Sequence, residues 1–167
     1  MRSKFLLLLI LLTGWTAAIG QAPTPGVDWQ ESDAPLAPAF SDTGLVPIAM
    51  PANAALQYGV DPNTLTITRD GVVRYVMVAS STTGVRNVMY EGIRCASSEV
   101  KTYARQNAAG QWAPVSEPQW RPLQGGNAVT AHAMALARQG VCSGRTVGAD
   151  SAGALVKKLR YWKPDPR

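Results

Sequence analysis

The sequence predicts an α+β fold: a single antiparallel sheet of about five to six strands, then two C-terminal helices, with one disulfide. Three observations lead there. From Leu45 to Val115 the apolar residues come in short, β-branched runs separated by turn residues. Beyond Asn127 the apolar period lengthens to that of a helix, and capping residues flank it. Two cysteines, Cys95 and Cys142, lie at the end of a strand pattern and just past a helix pattern.

The first 20 residues read as a secretory signal peptide. Arg2 and Lys4 form a positive start, Phe5 to Leu12 is an unbroken apolar run, and Ala18-Ile19-Gly20 offers small residues for a cut after Gly20. The apolar run falls short of the roughly 20 residues that span a bilayer. No cysteine lies near the cut to carry a lipid. The expected organisation is a signal peptide over 1–20, a Pro-rich extended segment over 21–44, a globular domain over 45–162 and a basic tail over 163–167. The extended segment holds Pro23, Pro25, Pro35 and Pro38 and one out-of-place aromatic, Trp29, which should dock somewhere.

Leu45 to Met50 is short and Pro-interrupted, which suits a sheet edge. Ala54 to Val60 follows, and Asp61-Pro62-Asn63 is turn chemistry. Leu65 to Arg69 and Val72 to Ser80 flank Asp70-Gly71, a hairpin signal that predicts positive φ at both turn residues. Val72 to Ser80 is apolar on both faces and reads as a central strand. Arg86 to Cys95, Lys101 to Gln106 and Gln111 to Val115 are further strands; Glu117 to Leu123 reads as irregular. Asn127 is positioned to cap a helix running to about Gln139, with Val129, Ala133 and Leu136 on its apolar face and Gly140 as its stop. Asp150 or Ser151 caps a second helix through Arg160, with Leu155, Val156 and Leu159 facing the core. An even cysteine count in an exported chain reads as one bridge, Cys95 to Cys142. Closing that loop of about 48 residues restricts the unfolded chain by about 4 kcal/mol.

Without Arg2 and Lys4 the chain keeps fourteen Lys and Arg against eleven Asp and Glu. The charge is unevenly spread. Asp28, Glu31, Asp33, Asp42 and Asp61 precede Arg69 with no base among them after Gly20, and all fourteen bases follow. Either the acidic segment lies against the basic body, or the basic end faces an anionic partner. Lys157, Lys158, Arg160 and Lys163 crowd the C-terminus, where a helix dipole favours cations and where weak contact with an anionic surface is the functional reading. Nucleic acid is not expected as a partner, since no recognised binding motif accompanies the charge.

Residues for chemistry are sparse. His132 is the lone histidine, and no neighbouring motif supplies a nucleophile for it. Gly148 to Gly153 misses the spacing of a nucleophile elbow, and Ser98-x-x-Lys101 lacks its partner motifs. No metal-ligand cluster or cofactor motif is present, so no metal or cofactor is expected. The stretch from Val85 to Tyr103 is the most informative. Glu91 and Arg94 sit in an apolar strand and need partners if buried. Their odd spacing puts them on opposite faces, so a direct pair requires a bulge at Gly92.

Asp70-Gly71-Val72-Val73-Arg74-Tyr75, Gly84, Asn87-Val88, Tyr90-Glu91-Gly92-Ile93-Arg94-Cys95, Glu99, Lys101, Tyr103-Ala104, Gly110, Trp112 and Trp120 together resemble the cryptic neisserial protein-like family. The resemblance implies an exported envelope protein of a Gram-negative bacterium, with no established activity and no catalytic residue to carry over. It places Cys95 and Cys142 at two family cysteines, in support of the bridge. Lipoprotein members carry a lipid-bearing cysteine that this chain lacks. The leading expectation is a periplasmic, non-enzymatic interaction or structural module, contacting an envelope protein or glycan. An alternative is small-molecule or glycan binding in a cleft beside the sheet, with Tyr90, Glu91, Arg94, Tyr103, Trp112 and Trp120 as candidate binding residues. A third is an envelope hydrolase using Ser98 or Ser151 with His132.

Overall fold

The computed structural model describes residues 29–124 and 128–164. The expected leader with Arg2, Lys4 and the cut after Gly20, together with Pro23, Pro25, Asp28, the cap Asn127 and Arg167, lies outside the described residues.

The sheet contains β1 (Val46–Ile48), β2 (Gln57–Val60), β3 (Thr66–Ile67), β4 (Val72–Ser80), β5 (Arg86–Arg94), β6 (Glu99–Gln106), β7 (Trp112–Pro114) and β8 (Arg121–Pro122). Six of the eight form a path β1-β2-β4-β5-β6-β7, with β3 on β4 and β8 on β6, every pair antiparallel. The both-faces-apolar pattern of β4 is explained by its place: every residue from Val72 to Ala79 is buried. Both outermost strands carry a proline, Pro47 and Pro114. A residue with no N–H suits an edge that must not recruit another strand.

The hairpin at Asp70-Gly71 differs from expectation, since only Gly71 has positive φ, at 81°. The Gly71 N–H donates to the Thr68 carbonyl and the Thr68 N–H to the Val72 carbonyl. That is a type I turn closed by one left-handed residue, which tolerates Asp70 in ordinary backbone. The same pattern recurs at Ser81 to Gly84 and at Asn107 to Gly110. In each, the side chain of Thr68, Ser81 or Asn107 accepts the N–H four residues on, which selects this turn over the two-residue form. Between β5 and β6 the left-handed place falls to a non-glycine, Ser98 at φ 57°.

The expected first helix is built in three pieces: a 3₁₀ turn (Ala128–Thr130), α1 (Ala131–Leu136) and a π-helical turn (Ala137–Val141). Ala133 and Leu136 are fully buried as expected, but Val129 is 57% exposed. Three residues per turn instead of 3.6 rotates Val129 off the apolar stripe. Gly140, at φ 135°, lies inside the last turn and not after it. A small hairpin of β9 (Cys142–Ser143) and β10 (Thr146–Val147) follows, then α2 (Ala152–Arg160). Ser151 is the cap: its hydroxyl accepts the Ala154 N–H at 3.2 Å.

Leu136, Val141, Leu155 and Leu159 pack on Val73, Tyr75, Met77 and Ile93 to form the main core. Cys95 and Cys142 are bonded, with Cα atoms 5.6 Å apart, so the helical layer is covalently tied to the end of β5. Buried Gln139 adds a polar clamp: its amide N–H groups reach the carbonyls of Pro47 and Leu159, and its oxygen accepts the Ala49 N–H. The opposite face has its own smaller core of Val76, Val78, Val88, Tyr90, Tyr103 and Ala104. Residues 29–44 cross that face without helix or strand.

Candidate functional site

The run Tyr90 to Cys95 deals its side chains to the two faces in turn. Met89, Glu91 and Ile93 point to the helical side; Tyr90 and Arg94 point to the other. No bulge forms at Gly92, and Glu91 and Arg94 do not pair. The irregularity is one step away, between Tyr90 and Glu91: Tyr90 faces Ala104 while Glu91 faces Thr102, so Tyr103 is the extra residue of β6. Tyr103 and Ala104 therefore share the face of Tyr90. Gly92 is what makes room for this. A Cβ there would lie 2.6 Å from the Tyr103 hydroxyl and 2.8 Å from Val72 Cγ1.

On that face the N-terminal segment forms a strap. Glu31 accepts hydrogen bonds from Lys101 at 2.7 Å, the Tyr103 hydroxyl at 2.7 Å and the Trp120 indole at 3.1 Å. Buried Arg74 donates to the carbonyls of Ser32 and Asp33. Trp29 donates its indole N–H to the Asp70 carbonyl at 2.8 Å, meets Trp120 edge-on, and lies 3.6 Å under the Arg94 guanidinium. Phe40 packs edge-on against Trp112, whose indole donates to the Pro38 carbonyl. Of the two readings of the charge asymmetry, the acidic segment lying on the basic body is the arrangement observed. Burial raises the Glu31 pKa, but the donors Lys101, Tyr103 and Trp120 outweigh it and hold the carboxyl below its ordinary value. Asp70 behaves alike: burial pushes it up, and hydrogen bonds from Thr68, Ser32 and Val72 bring it down to about 2. For Tyr103, burial and the Glu31 carboxylate raise the phenol.

On the helical face Glu91, 2% exposed, is the centre of a buried polar network. Its carboxylate meets His132 Nε2 at 2.8 Å, accepts the Tyr75 hydroxyl at 3.2 Å, and accepts the Thr102 hydroxyl at 3.0 Å. Tyr58 stacks on the His132 ring, planes 4° apart and centroids 5.2 Å apart. Burial first, and the nearby Glu91 charge second, raise the phenols of both Tyr75 and Tyr58. Chemically the arrangement is a fixed imidazole with one nitrogen committed to a carboxylate, at the wall of a recess of about 230 Å³.

Five of the six sequence-nominated residues, Tyr90, Arg94, Tyr103, Trp112 and Trp120, thus gather on the strap face, while Glu91 stands on the other. The cleft expected beside the sheet is occupied by the chain's own residues 29–40. Trp112 and Trp120 are each half-buried. Ser98 lies in the β5–β6 turn and Ser151 at the start of α2, while the hydrogen-bonded partner of His132 is Glu91. Lys157, Lys158, Arg160 and Lys163 are exposed at and beyond the end of α2, with Lys158 reaching the Gly148 carbonyl. Among the described residues no group of three His, Cys, Asp or Glu is arranged to hold a metal. Sequence reasoning missed Tyr58, Tyr75 and Glu31; the one signal within reach was that a charge in an apolar strand and a lone histidine on an apolar helix each needed a partner.

The CNP1-like family model matches residues 25–160, and the chain belongs to that family. The match takes in the strap, the sheet and both helices. No curated protein and no solved structure matches the chain.

Proposed function

We propose that this family member is an exported, periplasmic component of the cell envelope that acts by contact and not by catalysis. The carrying observation is the Cys95–Cys142 bond, which ties the helical layer to the sheet. Such a bond persists outside the cytosol, where thiols are not held reduced. The basic, apolar-led first 20 residues agree with that destination. The non-catalytic part of the reading rests on how the reactive side chains are spent: Ser151 on a helix cap, Glu31 on the strap, His132 and Glu91 on each other.

Fractionation tests the location. The chain expressed in a Gram-negative host is recovered by osmotic shock, its N-terminus read by mass spectrometry and its thiols titrated. A processed N-terminus with no free thiol is the expected result; unprocessed, reduced protein in the cytoplasm defeats the reading. Photo-crosslinking from exposed Tyr161 and Lys163 in intact cells tests the contact. A discrete adduct with an envelope component is expected, and adducts with none across repeated positions defeat it.

A further inference from the structure

A recess opens on the helical face near the start of β5, the end of that strand away from the disulfide. There Ala79, Asn87, Met89 and Arg105 floor the recess, and the stacked rings of Tyr58 and His132 form one wall. A second hollow of about 220 Å³ adjoins it, since Arg105 and Val129 line both. The first alone has room for about eight waters. Half its lining is apolar.

Three features of this hollow bear on what it would hold. First, its cation is unspent. Arg74, Arg86 and Lys101 pair with acids of the strap segment and Arg94 lies on Trp29, whereas Arg105 forms no ion pair among the described residues. Second, one wall is fixed. His132, 4% exposed, is tethered by Glu91 and laid flat on Tyr58, so neither ring swings freely into the space. Third, a buried polar network stands behind that wall: the Glu91 carboxylate that holds His132 also accepts the Tyr75 and Thr102 hydroxyls.

We propose that this recess binds a small organic carboxylate with a compact apolar body, such as the C-terminus of a short alanine-like peptide. Arg105 supplies a planar fork that matches a carboxylate with two parallel hydrogen bonds. Asn87 supplies an amide for the adjoining peptide group. Met89, Ala79 and the Tyr58–His132 wall cover the apolar part. An inorganic anion uses the fork but none of the apolar lining. The inference goes beyond the functional reading above, which names no ligand, and that reading stands or falls on separate experiments.

The test is a ¹H–¹⁵N correlation titration of the oxidised chain without residues 1–20, using N-acetyl-dialanine, its C-terminal amide and inorganic phosphate as probes. Saturable shifts at Asn87, Met89, Arg105 and His132 with the acid, and none with the amide, are expected. Arg105→Gln should weaken the acid at least about tenfold, Arg105→Lys by less, and Lys157→Gln, on α2, not at all. Arg105 is exposed, so these variants keep the fold, and unshifted resonances elsewhere in the spectrum check it. Equal shifts with acid and amide, phosphate displacing the acid at equal concentration, shifts confined to the strap face, or none at millimolar acid would each overturn the proposal.

Discussion

The two faces of one sheet are closed by different means. The helical face is covered by apolar side chains, a covalent bond and a buried carboxylate, while the other is covered by an irregular strap held through indoles, cations and carbonyls. Strand β5 serves both, giving Glu91 and Ile93 to one and Tyr90 and Arg94 to the other. The contrast teaches that an aromatic, cationic surface, which sequence alone reads as a binding site, can be the docking surface of the same chain. It also predicts two levels of cooperativity, since helices tied into a core melt with it and a strap of polar anchors can lift alone.

That difference can be broken from the helical side first. Replacing Cys95 and Cys142 together by Ser should cost about 4 kcal/mol in urea unfolding, with all probes moving together. Glu91→Ala should cost about 3 kcal/mol, because His132, Tyr75 and Thr102 lose a buried acceptor; it too should shift the whole transition. On the strap side Glu31→Ala should cost about 2 kcal/mol. Its signature is local: faster amide exchange at Trp29 to Asp33 and altered indole fluorescence, with sheet amides unchanged. Acid should reach the strap as well. The Asp70 pKa, about 2, lies below its ordinary 3.8, so its contribution is complete above about 4 and disappears as pH falls through 2. Tryptophan fluorescence should report strap release across that window, and an Asp70→Asn variant should flatten the response. The smallest effect is a gain. Ser98→Gly should stabilise by about 1 kcal/mol in thermal unfolding, by relieving a left-handed residue in the β5–β6 turn.

Much of the sheet was legible because its signals are local. β4 and β5 follow from β-branched runs and glycine-marked turns, and Ser151 at the head of α2 from capping chemistry. The Asp70-Gly71 turn was placed correctly but typed wrongly, because the dipeptide is silent about the Thr68 side chain that decides it. The extra residue at Tyr103 left no glycine or proline to mark it; only the space over Gly92 betrays it. Within the candidate sites, the need of Glu91 for a partner was visible, but His132 is 41 positions away in a different element. Trp29 was recognisably out of place in a Pro-rich segment, yet nothing local pointed to Arg94 and Trp120 as its seat. Pairings at such distances come from topology, which short-range pattern does not encode.

The strap carries one more implication, for the order in which the molecule is completed. It is made before every strand that holds it, and its anchors lie 20 to 89 positions downstream. A ribosome therefore delivers first the piece that must be seated last. Until β8 has been added, Trp29, Phe40 and the acidic side chains between them have no finished surface to join, and folding from the N-terminus must leave them waiting.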